Sequence, residues 1–127
     1  MTIISESKGM KAPRGSKTKA PSEHYEQCLF VQWMRRTYPD ARIFAIPNGG
    51  ARSLSVGAEL KAEGVSRGVP DLFVPSWRLF IEMKRSDSGN MSGYQRDWKK
   101  YLEEHKYTVF VCHGFEEAKR RVEEWLI

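Results

Sequence analysis

The stretch GVPDLFVPSWRLFIEMKR, running from Gly68 to Arg85, constrains the fold more than any other part of the chain. DLFVP and RLFIEMK read as two β-rich runs, and the spacing predicts an antiparallel hairpin that turns at Ser76-Trp77. Paired positions then sum to 153, which sets Asp71 opposite Glu82. Opposed Cβ atoms lie ~4.5 to 5.5 Å apart, and the period of two puts Lys84 on the face of Glu82 and Met83 on the other. Two carboxylates this close repel each other unless a cation lies between them or one takes a proton. Hard oxygen donors in such a pair suit Mg²⁺ or a similar divalent ion. The Met83 carbonyl is a candidate third oxygen, and Lys84 stands beside it to hold or orient an attacking water. The competing reading of Glu82-Met83-Lys84 is the solvated face of an edge strand. Pro70 weighs against that reading, because a residue without an N–H marks the start of a strand and leaves Asp71 at its first position, open to a cleft.

Around the hairpin the pattern alternates helix and strand. Ser22 is an N-cap candidate for an amphipathic helix over 22 to 37, and RIFAI, 42 to 46, is a short strand stopped by Pro47-Asn48-Gly49-Gly50. Residues 53 to 63 form a second helix ending at Gly64, Ser92 to His105 a third, YTVFVC, 107 to 112, a buried strand, and Phe115 to Ile127 a closing helix with Ala118, Val122, Trp125 and Leu126 facing inward. The order α, β, α, β, β, α, β, α describes an α/β sandwich around a mixed sheet of about four strands.

A chain of 127 residues with 40% apolar content supports one domain with a real core. No apolar run approaches the ~20 residues of a membrane span, no secretory leader pattern opens the sequence, and Cys28 and Cys112 lie in apolar surroundings without metal-site spacing. These features point to a cytoplasmic protein with reduced thiols, a disulfide being the alternative. The net charge of +5 is unevenly spread: residues 1 to 20 hold five basic side chains against one acidic, residues 21 to 100 twelve against nine, and residues 101 to 127 four against six. The first 20 residues therefore read as a disordered basic tail and 21 to 127 as the folded domain. Such a tail either binds phosphates through counterion release or serves as a solubilising extension. Arg52, Arg67, Arg85, Arg96 and Lys99 flank the carboxylates in sequence and are candidates for phosphate contact, each also readable as a solvated surface charge.

Pro70-Asp71, then Glu82-Met83-Lys84 after ten residues, resembles the signature of the PD-(D/E)XK nuclease superfamily. IPNGG, LKAEGVSRGVPDLFVP, LFIEMKR, SGYQRDW and YTVFVCHG, in that order, resemble the small stand-alone VRR-NUC domains of phages and bacteria. The resemblance implies a restriction-endonuclease-like sandwich akin to Holliday-junction resolvases. It also implies a phosphodiesterase dependent on Mg²⁺, or on Mn²⁺ in its place, that acts on DNA, with branched DNA such as junctions or flaps as a substrate class, and a homodimer. On that likeness Asp71 and Glu82 are metal ligands, Lys84 is the catalytic lysine, and Gln95 is the site glutamine on the helix after the E-x-K strand. Gln95 also completes a capping box with Ser92. The family's glutamate on the first helix falls on Glu26 or Glu23, with Glu26 favoured because it lies on the core-facing side. The alternative for the whole chain is a noncatalytic DNA-binding accessory protein of the same fold.

Overall fold

The computed structural model describes residues 20–47 and 54–127; most of the basic tail, the glycine loop after the first strand and Arg52 lie outside the described residues. The hairpin forms in the register expected from sequence. β2 (Leu72–Val74) pairs antiparallel with β3 (Leu79–Lys84) through Leu72↔Ile81, Phe73↔Phe80 and Val74↔Leu79. The reversal is a 3-10 turn over Pro75–Trp77, closed by Arg78 in the left-handed region at φ 52°. That conformation is costly for a residue with a Cβ. Arg78 offsets the cost by donating to the carbonyls of His105 and Lys106 at 3.0 and 3.2 Å and lying 3.9 Å over the Tyr107 ring.

The remaining elements follow the expected order: α1 (Glu23–Thr37), β1 (Phe44–Ala45), α2 (Leu54–Ala62), α3 (Gly93–Glu104), β4 (Thr108–His113) and α4 (Phe115–Trp125). The sheet runs β1-β2-β3-β4, with β4 parallel to β3 and the other pairs antiparallel, so α3 is the crossover that a parallel neighbour requires. The first strand is shorter than RIFAI suggests. Ile43 turns its side chain into the core and gives its carbonyl to Arg35 at 3.2 Å, which leaves only Phe44 and Ala45 in the ladder.

All six residues of β3 are buried, and their alternation divides the interior in two. Leu79, Ile81 and Met83 face the main core with Phe30 and Met34 of α1 and Ala118 and Val122 of α4. Each fully buried side chain of this kind contributes about 1.5–3 kcal/mol. On the other face Phe80 joins Leu102, Val109, Phe73 and Trp98 in a smaller cluster. That cluster covers only one end of the face; Glu82 and Lys84 continue it toward the first turn of α3. In α4, Val122 is fully buried, whereas Trp125 and Leu126, read from sequence as inward-facing, are 39% and 40% exposed. The helix ends there, and Trp125 reaches back only to the edges of Trp77 and Phe110. Both cysteines are free thiols, and burial pushes the Cys112 thiol up to about 12. Among the described residues no helix is long and apolar enough to cross a membrane.

Glu26 makes a contact that its place on the helical face does not announce. It is buried on α1, and its Oε1 accepts the Phe115 N–H at 2.8 Å. The residue before Phe115 is Gly114, which has no side chain with which to cap α4, so a glutamate 89 residues away takes that role. Gly114 is required for the approach: its φ is +97°, and a Cβ there would lie 3.0 Å from Ser86 Cβ and 3.5 Å from Glu26 Oε2. Replacing Glu26 with Ala removes a charge-assisted bond from a buried N–H, and urea denaturation of Glu26→Ala should show a loss of roughly 1.5–3 kcal/mol. Unchanged stability would contradict the capping role.

Candidate active site

The site begins with the residue that cannot pair. Pro70, which has no N–H to give to a ladder, and Asp71, in a bend, both precede β2, so Asp71 stands just before the strand and not at its first residue as the sequence suggests. The Met83 N–H donates to the Asp71 side chain, at Oδ2, at 2.8 Å. The Asp71 carbonyl accepts from Ile46 N–H at 2.8 Å, so both ends of the residue are tied to the sheet. Asp71 is thereby set beside Glu82.

Glu82 and Lys84 are 3% and 6% exposed, and Gln95 of α3 joins them. Gln95 Nε2 donates to Glu82 Oε2 at 2.7 Å, while Gln95 Oε1 accepts from Lys84 Nζ at 2.8 Å and from the Ser92 N–H at 2.9 Å. Ser92 Oγ completes the capping box by accepting from Gln95 N–H at 3.2 Å. Capping and site contact are therefore made by the same amide. Lys84 Nζ also lies 3.5 Å from Glu82 Oε2. Burial holds the Asp71 carboxyl above its ordinary range, against the opposing Met83 N–H; the Glu23 charge adds to the rise and the Lys84 charge opposes it. Burial, then the charge of Asp71, pushes Glu82 up to about 8 despite Lys84.

Of the two glutamates on α1, Glu23 is the one whose charge reaches both Asp71 and Glu82; Glu26 is committed to the N-terminus of α4. Arg67, Arg85, Arg96 and Lys99 lie on the elements that border the site. Arg85 pairs with Asp87 at 3.2 Å and Lys99 with Glu103 at 2.8 Å, and Arg96 donates to the Met91 carbonyl at 2.6 Å. Arg67 lies 4.6 Å over the Tyr94 ring.

Two residues beside Lys84 escaped the sequence reading. His113 Nε2 donates to the Gly89 carbonyl at 2.9 Å, and Gly89, at φ +104°, lies so close that a Cβ would be 3.2 Å from Lys84 Cβ and 3.3 Å from Cδ. The loop after β3 is thus laid along the lysine stem. The strand YTVFVC is visible in the sequence, but no local pattern joins positions 24 residues apart.

The donor set fits a hard divalent cation. The charge of half-buried Asp71 acts against that of buried Glu82, and Glu82 Oε1 is buried with no hydrogen-bond partner among the described residues. No group of three or more His, Cys, Asp and Glu side chains gathers around a metal position among the described residues. Asp71, Glu82 and the Met83 carbonyl would be few enough donors to suit Mg²⁺, which keeps several waters.

The titration gives a direct check. Glu82 has an ordinary value of 4.5 and titrates near 8 in the folded chain, so between these values the folded state binds the extra proton. Unfolding then releases it, and metal-free stability falls as pH rises through that window. A cation held by the ionised pair opposes the fall, so millimolar Mg²⁺ should raise Tm more at about pH 8 than at about pH 6. Glu82→Gln should flatten the metal-free slope and remove the Mg²⁺ response. No response to Mg²⁺, or an equal one at both pH values, would contradict the fit.

Comparison with known proteins bears on the family and the fold. The family model for the VRR-NUC domain matches residues 16–116, a span that contains the hairpin, Gln95 and β4. A solved structure described as a VRR_NUC domain protein superposes with a TM-score of 0.68 at 22% identity, covering 81% of this chain and 86% of its own, a likeness that establishes the fold. No curated protein matches the sequence. A mixed four-stranded α/β sheet of the PD-(D/E)XK type, together with a family match over most of its length, makes this chain a member of the VRR-NUC domain family, a nuclease-type family whose domain implies DNA as substrate.

Proposed function

We propose that the protein is a divalent-metal-dependent endonuclease that hydrolyses phosphodiester bonds in DNA, selecting branched or otherwise structured substrates. The observation that carries this reading is the Gln95 amide bound at once to Glu82 and Lys84, with Asp71 beside them on the end of the hairpin. Asp71, Glu82 and the Met83 carbonyl would hold the cation, Mg²⁺ or Mn²⁺. When bound, such an ion supplies Lewis acidity at a phosphoryl oxygen and lowers the pKa of water. Lys84, kept in place by Gln95 and the Gly89 backbone, directs its ammonium toward the charge that builds on the scissile phosphate. Ordering by buried neighbours means that little reorganisation is needed when that charge develops.

The bordering arginines are suited to phosphate, which positions a nucleic acid without reading its sequence. Recognition by shape is the consequence, and a homodimer would present two such sites to the two strands of a junction. Trp125, Leu126 and Ile127 at the end of α4 leave apolar surface for such an interface, whereas Val122, earlier on that helix, is occupied in the core. The basic tail adds cations to the same task. A noncatalytic DNA-binding protein would gain nothing from a pair of carboxylates that repel phosphate.

Labelled duplex, flap and four-way-junction DNA, with and without Mg²⁺ or Mn²⁺, provide the test. Cleavage should require the metal and favour the branched substrates. Glu82→Ala should lose at least about 100-fold in rate while DNA binding is kept or strengthened, because a repelling carboxylate is gone. A Glu82→Ala protein that cuts at the wild-type rate would overturn the assignment.

A further inference from the structure

The loop that leads into β2 is pressed against the start of α3. Gly68 is buried at φ +88°, and a Cβ there would lie 2.6 Å from the Tyr94 carbonyl carbon and 2.7 Å from its oxygen and Cβ. Both the conformation and the space admit only glycine. The approach brings Arg67 over Tyr94, with the guanidinium 4.6 Å from the ring centroid. One face of the ring is braced, yet Tyr94 remains 56% exposed. Its chain neighbour Gln95 holds Glu82 and Lys84, and Asp71 follows Arg67 by four residues, so the pair is tied to the site from both sides. The other aromatic residues of α3 are engaged differently: Trp98 packs on the smaller core, and Tyr101 lies between Trp98 and the His105 ring, 4.3 Å away.

We propose that Tyr94 is a stacking platform for an unpaired nucleobase next to the scissile phosphate, with Arg67 bracing the ring and neutralising a flanking phosphate. The inference rests on the nuclease reading above and gives it a source of selectivity. A base inside a duplex is already stacked on both faces, whereas an unpaired base at a branch point has a face to offer. An aromatic surface accepts any base, so the preference is for structure and not for sequence.

Binding in EDTA, where cleavage is off, isolates this step. A flap DNA carrying 2-aminopurine at the unpaired nucleotide beside the branch reports stacking as a loss of fluorescence. The wild-type chain should quench it. Tyr94→Ala should abolish the quench and weaken flap binding by about tenfold, with duplex affinity almost unchanged, whereas Tyr94→Phe should keep both. Arg67→Ala should lower the slope of log affinity against log salt by about one. Wild-type quenching and affinity in Tyr94→Ala, or an unchanged slope in Arg67→Ala, would overturn the corresponding role while leaving the nuclease reading intact. Failure of the wild-type chain to bind any DNA would overturn both.

Discussion

The Gln95 side-chain amide donates to Glu82 at 2.7 Å and accepts from Lys84 at 2.8 Å, and the architecture of the site depends on that double contact. The carboxylate and the ammonium lie on the same buried strand face as an ion pair, and the amide adds a shorter contact to each of them. The amide serves both while their own separation stays at 3.5 Å. It is fixed because the same oxygen caps the backbone of α3 through Ser92. The start of a helix and the heart of the site are one hydrogen-bonded unit, which is a stiff way to hold polar side chains in a dry place.

That stiffness carries a cost in stability. Burial raises both carboxyls above their ordinary range, the Asp71 charge adds to the rise of Glu82 and the Glu23 charge to both, and Glu82 Oε1 lacks a partner among the described residues. A fold optimised for stability alone would fill this end of β3 with apolar side chains, as it does at Phe80 one step earlier on the same face. On the function proposed above, perturbed carboxyls gathered beside a lysine form a site prepared for a cation.

Much of this arrangement was legible in the sequence because it is local or periodic. The hairpin register follows from alternation and a short turn, the opposition of Asp71 to Glu82 follows from the register, and the capping box of Ser92 and Gln95 is a four-residue pattern. What was hidden depends on distance along the chain. Glu26 reads as a site acid from its helical face, yet its partner is a backbone N–H 89 residues later that a glycine cap leaves unserved. The clamp of His113 on Gly89, and the contact between Gly68 and Tyr94, are likewise set by how elements meet. The short β1 reflects Ile43 leaving the ladder for the core, a choice that its β-rich neighbours do not betray.

A crystal grown with Mn²⁺ and examined by anomalous scattering at the manganese edge tests the central claim most directly. The account predicts a single anomalous peak bounded by the Asp71 and Glu82 carboxylates and the Met83 carbonyl, with Gln95 still bonded to Lys84. Manganese bound elsewhere, or saturating Mn²⁺ that leaves those oxygens without an ion, would contradict it.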